Sequence, residues 1–198
     1  DEPMEFKTTA ANPSGDIQVI QSKENEVFYS YLNFIKDKRT ERAPFDAVLR
    51  DSSATEAAVA EAKAGIAKLT EEVNEYQYYL TNDPRNFLFG KYLNMINEPQ
   101  VPEAPENVED AAMWQYLWYR SHYWDRVDFD DPRLVRDGAF DQLVTRYWSK
   151  VLPQIPDTMI VEAHSLLDQV LQAGNKDMFK YMVHHMTYAS ESSKIMCM

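Results

Sequence analysis

Ser53–Leu80, SATEAAVAEAKAGIAKLTEEVNEYQYYL, is the stretch that decides the fold class. Val59, Ala62, Ile66, Leu69, Val73, Tyr76 and Leu80 alternate spacings of three and four residues. That period lays one apolar seam along a helix, the pattern of a helix packed lengthwise on another at coiled-coil geometry. Ser53-Ala54-Thr55-Glu56 matches a capping box and marks the expected helix start. Some 28 residues at about 1.5 Å each make a rod roughly 40 Å long. The expected partner is the preceding helix, folded back as an antiparallel hairpin. A self-dimer through the same seam is the alternative.

The upstream sequence supplies such a partner. Val27, Phe28, Tyr31, Leu32, Phe34 and Ile35 recur at helical spacing, with Ser22 placed to cap and Glu24 in the first turn. The basic run Lys36-Asp37-Lys38-Arg39 reads as the end of that helix. Ahead of it, Met4/Phe6 and Ile17/Val19 alternate on either side of Asn12-Pro13-Ser14-Gly15, which reads as two short strands or an extended lead-in joined by a turn.

Downstream, Asn82-Asp83-Pro84 stops the long helix and starts another, with Pro84 suited to the first helical position. Phe87, Leu88, Tyr92, Met95 and Ile96 form its expected apolar face. Residues 98–110 carry Pro99, Pro102 and Pro105, five acidic residues and no basic one, so this is an extended surface connection. Its acidity suits a basic partner, although solvation is the commoner reason for such a run.

The aromatic density peaks in Met113–Arg136, MWQYLWYRSHYWDRVDFDDPRLVR. Seven aromatic residues between Trp114 and Phe129 point to nearly every side of a helix. Such a segment is either deeply buried or pressed against a partner. Beyond it, Asp131-Pro132 starts a short helical turn that Gly138 punctuates. Phe140, Leu143, Val144, Tyr147, Val151 and Leu152 mark a helix ended by Pro153. Pro156-Asp157 opens another, with Ile160, Ala163, Leu167, Val170 and Leu171 expected to face inward. Gly174-Asn175 is a stop followed by a cap. Met178, Phe179, Met182, Val183 and Met186 line the last helix, and the Met stripe reads as core filling. The expected fold is all-α, antiparallel helical hairpins or a bundle with a short extended N-terminal lead-in.

Bulk properties exclude several functions. With 198 residues, 44% hydrophobic and 13% aromatic, the chain can bury a core and is not a disordered segment. A net charge of −12 argues against a nucleic-acid partner, which needs clustered Lys and Arg. No apolar run approaches the roughly 20 residues of a membrane span. The single cysteine, Cys197, forms no internal disulfide and no CxxC pair.

Candidate chemistry is sparse. His184-His185, with His164 and Glu191, is the histidine cluster, but adjacent helical residues point about 100° apart and cannot chelate one metal as an i, i+4 pair does. No metal site, cofactor site or catalytic residue is assigned. His122 with Asp125 has the makings of a general base with an orienting carboxylate, a hydrolase reading that lacks a nucleophile. Trp118, Tyr119, His122, Tyr123, Trp124, Asp125 and Arg126 are the candidate partner- or ligand-binding residues, because rings interleaved with polar groups suit stacking on a sugar or a peptide. Buried packing is their ordinary alternative.

A resemblance adds to this reading. Ser22-Lys23-Glu24-Asn25-Glu26-Val27-Phe28-Tyr29 followed by a helix resembles a characteristic opening motif of Bacteroidetes cell-envelope thiol-disulfide oxidoreductases. His122-Tyr123-Trp124-Asp125, Asp128-Phe129, Asp131 and Arg133-Leu134 look like that family's central motif. Pro153-Gln154, Pro156-Asp157, Asn175 to Tyr181 and Ser193-Lys194-Ile195-Met196 are similar to its later portion. The resemblance covers residues 21–198 and implies the helical middle domain, of unknown function, of a longer polypeptide. There, a signal or lipoprotein anchor and a small β-domain precede it, and a thioredoxin-like domain carrying the CxxC follows.

On that basis residues 1–21 are expected to be the tail of the β-domain and residues 22–198 the helical domain. The latter divides into a long hairpin at 22–98, the acidic connection at 98–110 and an aromatic-rich part at 111–198. The resemblance implies a periplasmic or envelope location and partners in the tethered thioredoxin-like and β-domains, with other envelope proteins as further candidates. It carries no catalytic residue onto this chain, and Cys197 does not match the redox motif. The expected function is a non-catalytic accessory domain that positions or selects partners. The alternative is an aromatic platform that binds a glycan, a peptide or a small ligand.

Overall fold

Two long helices, α1 (Lys23–Arg50) and α2 (Glu56–Thr81), form an antiparallel hairpin in the computed structural model, which describes residues 3–13, 15–85 and 87–193. Tyr31 faces Gln77, Lys38 faces Glu72 and Phe45 faces Gly65, so the partner number falls as the α1 number rises. The seam residues of α2 are all buried or half-buried, with Ala62, Leu69 and Leu80 deepest. Rings bind the hairpin's open end, where Phe34 lies 4.6 Å from Tyr76, and Phe28 and Tyr31 meet Phe89 at 5.2 and 5.3 Å. The seam is satisfied within one chain.

Three local expectations are corrected. First, α1 does not end at Lys36–Arg39 but continues to Arg50 through Pro44. Residues 41–44 are exposed, so the hydrogen bond that proline removes lies on the solvent side, where a free carbonyl is tolerated. Second, the cap of α2 is Thr55, which accepts from Ala58 N at 3.3 Å, while Ser53 turns back to Asp51 at 2.6 Å. Third, Pro84 is not the first residue of α3 (Leu88–Ile96). Asp83 accepts from the backbone N and the guanidinium of Arg85 and closes a turn, and its carboxyl is held down to about 2 by those bonds. The Phe89 N–H at the head of α3 is met instead by Glu24 of α1 at 2.7 Å, a cap from 65 residues away.

Ahead of the hairpin, β1 (Glu5–Lys7) and β2 (Gln18–Gln21) pair antiparallel with an irregularity after Glu5. Asn12 turns the chain between them, its carbonyl accepting from Asp16 N at 3.1 Å. Buried Ser22 then caps α1 through Asn25 N, as its position foretold. The chain divides into two compact units, residues 1–90 and 91–198, with the division inside α3.

In the second unit, α4 (Ala111–Ser121) follows the extended acidic connection. A loop with a 3-10 turn at Leu134–Arg136 then leads to α5 (Gly138–Arg146), which runs into a π-helical turn at Tyr147–Val151. The antiparallel hairpin of α6 (Pro156–Gln172) and α7 (Lys176–Glu191) completes it. Gly174 takes φ +73°, the left-handed stop that glycine adopts without strain, and Asn175 caps α7 through Met178 N. The core gathers Leu134, Phe140, Val144, Tyr147, Val170, Met178 and Met182, so the Met stripe fills the interior. The inward face of α6 is a correction. Met159, Leu166 and Val170 are buried, whereas Ile160 and Leu171 are mostly exposed. The molecule is mainly α, with seven α-helices among the described residues, none long and apolar enough to cross a membrane.

Candidate functional site

The aromatic segment splits into two environments. Its first part is α4, capped by Asp110 through Met113 N at 2.9 Å, and no residue of this helix is fully buried. Met113 and Leu117 are half exposed, at 52% and 50%, four residues apart on one face. Trp114, Tyr116, Trp118 and Tyr119 are half-buried. The second part, beyond Ser121, turns inward. Tyr123, Trp124 and Val127 are buried, and Tyr123 and Trp124 pack on Tyr147 at 4.7 and 4.9 Å.

The seven candidate residues therefore do not assemble into one platform. Trp118, Tyr119 and His122 lie at the surface edge of the cluster, while Tyr123 and Trp124 belong to the core. Tyr123 donates its hydroxyl to the Leu143 carbonyl at 3.0 Å, and burial pushes its phenol far above the ordinary tyrosine range. His122 stacks on Trp118 with centroids 4.0 Å apart. Its Nδ1 lies 2.8 Å from the Trp118 carbonyl, a contact in which Nδ1 carries the proton. Asp125 is exposed and makes no described bond to His122, so the dyad of base and orienting carboxylate is not formed. Arg126 accepts from Asn94 Nδ2 at its carbonyl and reaches the Asn97 carbonyl with its guanidinium at 3.5 Å.

The other motif residues are fasteners. Buried Asp131 takes Lys91 Nζ at 2.7 Å and Arg133 Nη2 at 2.6 Å, and Asp128 takes the same Lys91 at 2.6 Å. Hydrogen bonds from Arg133 first, then Lys91, hold the Asp131 carboxyl well below the usual carboxylate range despite its burial. Asn175 donates to the Phe129 carbonyl at 3.0 Å and ties the loop to the start of α7. Glu98 pairs with Arg146 and accepts from Tyr119 at 3.4 Å.

Beside α4, Trp114, Leu117, Trp118, Arg120, Ser121 and Glu162 line an open cleft of about 590 Å³. Arg120 Nη2 lies 2.7 Å from one Glu162 oxygen, and the Tyr147 hydroxyl donates to the other. The carboxylate is thus engaged on both sides and offers no free base. What the cleft presents is ring faces and an ion pair, which suit recognition.

Of the histidine cluster, His184 is exposed, and His185 sits 3.4 Å from the Tyr181 hydroxyl and 3.8 Å from Asp141. Among the described residues, no group of three or more His, Cys, Asp or Glu is placed to hold a metal ion. Cys197 and Lys194-Ile195-Met196 lie outside the described residues. Sequence reading did not single out Trp148, whose buried Nε1–H, like that of Trp124, has no acceptor among the described residues. The only signal was its place beside Tyr147 just before the Pro153 helix end.

Residues 52–198 match the family model described as Domain of unknown function (DUF5106), and the chain belongs to that family. No curated protein and no solved structure matches the chain.

Proposed function

We propose that this member of the DUF5106 family is a non-catalytic helical accessory domain of an envelope thiol-disulfide oxidoreductase. It positions or selects partners for a thioredoxin-like domain in the same polypeptide. The observation that carries the reading is α4, where two Trp, two Tyr, Met113 and Leu117 share one helix without a single fully buried residue. Large rings and Met on a rigid, partly exposed helix are the residue types that anchor protein interfaces. The half-tied Trp118–His122 stack and the Arg120–Glu162 pair give that surface a fixed shape before any partner arrives. An overall charge of −12 favours a partner with a basic face. The thioredoxin-like neighbour, the preceding β-domain and the periplasmic setting rest on the motif resemblance alone.

The test begins with the intact mass and a peptide map of the native protein, where a CxxC segment in the same polypeptide is expected. In that whole protein, Leu117→Glu should slow reduction of protein disulfides about tenfold, the effect of one lost interface anchor. Reduction of a small aromatic disulfide should be unchanged. The present chain carrying Cys197→Ser should show no disulfide reductase activity. A native polypeptide without a CxxC, or equal effects on large and small substrates, would overturn the proposal.

The α4 cleft favours a second reading, a binder of a glycan, peptide or small ligand through Trp114 and Trp118. Saturable quenching of tryptophan fluorescence by envelope glycans, lost in Trp118→Ala, would put that reading first.

A further inference from the structure

Phe34, Lys38 and Phe45 turn to α2, and a second stripe runs along another side of α1. Leu32, Lys36, Arg39, Ala43, Ala47 and Arg50 follow one another at spacings of three or four residues, and all are exposed, Leu32 at 44%. That spacing keeps them on one side of the helix. Leu32, Ile35 and Ala43 are the apolar part of an open groove of about 600 Å³, and Lys36 and Arg39 give it its charge. The neighbouring acids are already taken, since Glu41 receives Lys38 at 3.1 Å and Asp46 receives Arg42 at 3.2 Å. Asp37 points about 100° away from Lys36 around the helix. Lys36, Arg39 and Arg50 have no ion-pair partner among the described residues.

The chain carries the chemical complement of that stripe in its own acidic connection. Glu103, Glu106 and Glu109 are exposed and have no cationic partner among the described residues, whereas Glu98 pairs with Arg146 and Asp110 caps α4. Val101, between Pro99 and Pro102, keeps 37% of its surface in water. Proline holds such a segment extended before any contact, so laying it in a groove costs little chain entropy. The reach also matches. Val101 to Glu103 spans about 6 Å of extended chain, as Leu32 to Lys36 does along a helix. Two copies of net charge −12 repel at long range, so a local match of opposite charges selects this contact over others.

We infer that this chain self-associates, with the acidic connection of one copy lying in the α1 groove of a second copy. Val101 covers Leu32, and Glu103 and Glu106 meet Lys36 and Arg39. This contact is distinct in its residues from the α1–α2 seam and from the α4 surface, and it stands whether or not α4 binds a partner.

Sedimentation equilibrium of the whole chain tests it, at low salt and at concentrations up to about 1 mM, which reaches dissociation constants in the millimolar range. The unsubstituted chain should show a mass above that of one copy. Salt at about 0.5 M should weaken the association at least tenfold, because exposed charges are screened. Lys36→Glu with Arg39→Glu, and separately Glu103→Lys with Glu106→Lys, change only exposed side chains, so folding is preserved, and each pair should leave a monomer. The second pair lowers the net negative charge, which by itself favours association, so its monomer would mark a specific contact. Mixed together, the two doubly substituted chains should associate again, since every connection then meets a groove of opposite charge. A monomer at every concentration of the unsubstituted chain overturns the proposal. So does association that survives either charge reversal, or a mixture that stays monomeric.

Discussion

The α1–α2 hairpin and the helices of the second unit bury apolar surface by different means. In α1 no residue is fully buried, and in α2 only Ala62, Leu69 and Leu80 are. The hairpin's contacts form a line, in which each side chain meets the partner helix on one side and water on the other. In the second unit Leu134, Phe140, Val144, Tyr147, Val170, Met178 and Met182 are within 1% of complete burial, enclosed from all directions. A line spreads its stabilisation over many shallow contacts, whereas an enclosed volume concentrates it in a few side chains.

The largest test of that difference is truncation. Phe140→Ala should destabilise the second unit by about 3–5 kcal/mol, because the cavity it leaves is closed on every side. Leu69→Ala should cost the hairpin nearer to about 2 kcal/mol, since the seam is open to solvent and can collapse. The two are separable by probe. Trp114, Trp118, Trp124 and Trp148 all lie in the second unit, so tryptophan fluorescence in urea follows that unit, while far-UV circular dichroism follows both. Equal losses would show that the hairpin, too, has an enclosed core.

A buried carboxylate sharpens the comparison next. Asp131 is 5% exposed and receives Lys91 from 40 residues upstream as well as its neighbour Arg133. Asp131→Asn leaves Lys91 half-paired with Asp128 and should cost about 3 kcal/mol at neutral pH. The sign of the pH dependence follows from the depressed carboxyl. Its stabilisation is complete above the ordinary Asp value of about 4 and is lost as pH falls through that value toward the lower folded one. Urea midpoints by tryptophan fluorescence should therefore drop in acid for the natural chain and be flatter for Asp131→Asn. Identical slopes would mean that Asp131 contributes nothing specific to the second unit.

The hairpin was the more legible region in the sequence, and physics explains why. A seam repeats its signal every three or four residues, so Val59 to Leu80 announced both the helix and its packing. Stop signals were less reliable. Lys36–Arg39 read as an end, yet α1 runs on through Pro44, since a proline on the solvent face of a packed helix removes one hydrogen bond without blocking the α1–α2 contacts. Capping carried the same limit, since Glu24 meets the Phe89 N–H from a distance in sequence that no local motif spans. In the second unit, the family resemblance and the domain matched over residues 52–198 agree on a domain of unknown function, but the ring-rich segment could not be divided from sequence. Its period fits a helix throughout, and only the turn after Ser121 sends Tyr123 and Trp124 inward while leaving Trp118 at the edge. The outward face of α6 was invisible for a related reason, since a helical period alone does not say which of two apolar faces turns inward. Ile160 and Leu171 fit the helical period as well as Met159 and Leu166 do.

The finest test lies at Gly65, and its expected effect is the smallest. In the interior of a helix, Gly→Ala ordinarily stabilises by about 1 kcal/mol. Here a methyl at Gly65 would lie 2.5 Å from the tip of the Phe45 ring across the hairpin, closer than any real contact. The ring would have to leave the seam, so Gly65→Ala alone should lower stability by about 1 kcal/mol. In a Phe45→Ala background the obstruction is gone, and the same substitution should raise stability by about 1 kcal/mol. The difference, about 2 kcal/mol of coupling, is readable from urea midpoints by circular dichroism in a double-mutant cycle. A gain in both backgrounds would mean that the Phe45 ring is held loosely and that the hairpin is a line of contacts throughout. A loss only when Phe45 is present would locate one point where this open rod is packed as tightly as a core, with glycine chosen there for space and not for backbone freedom.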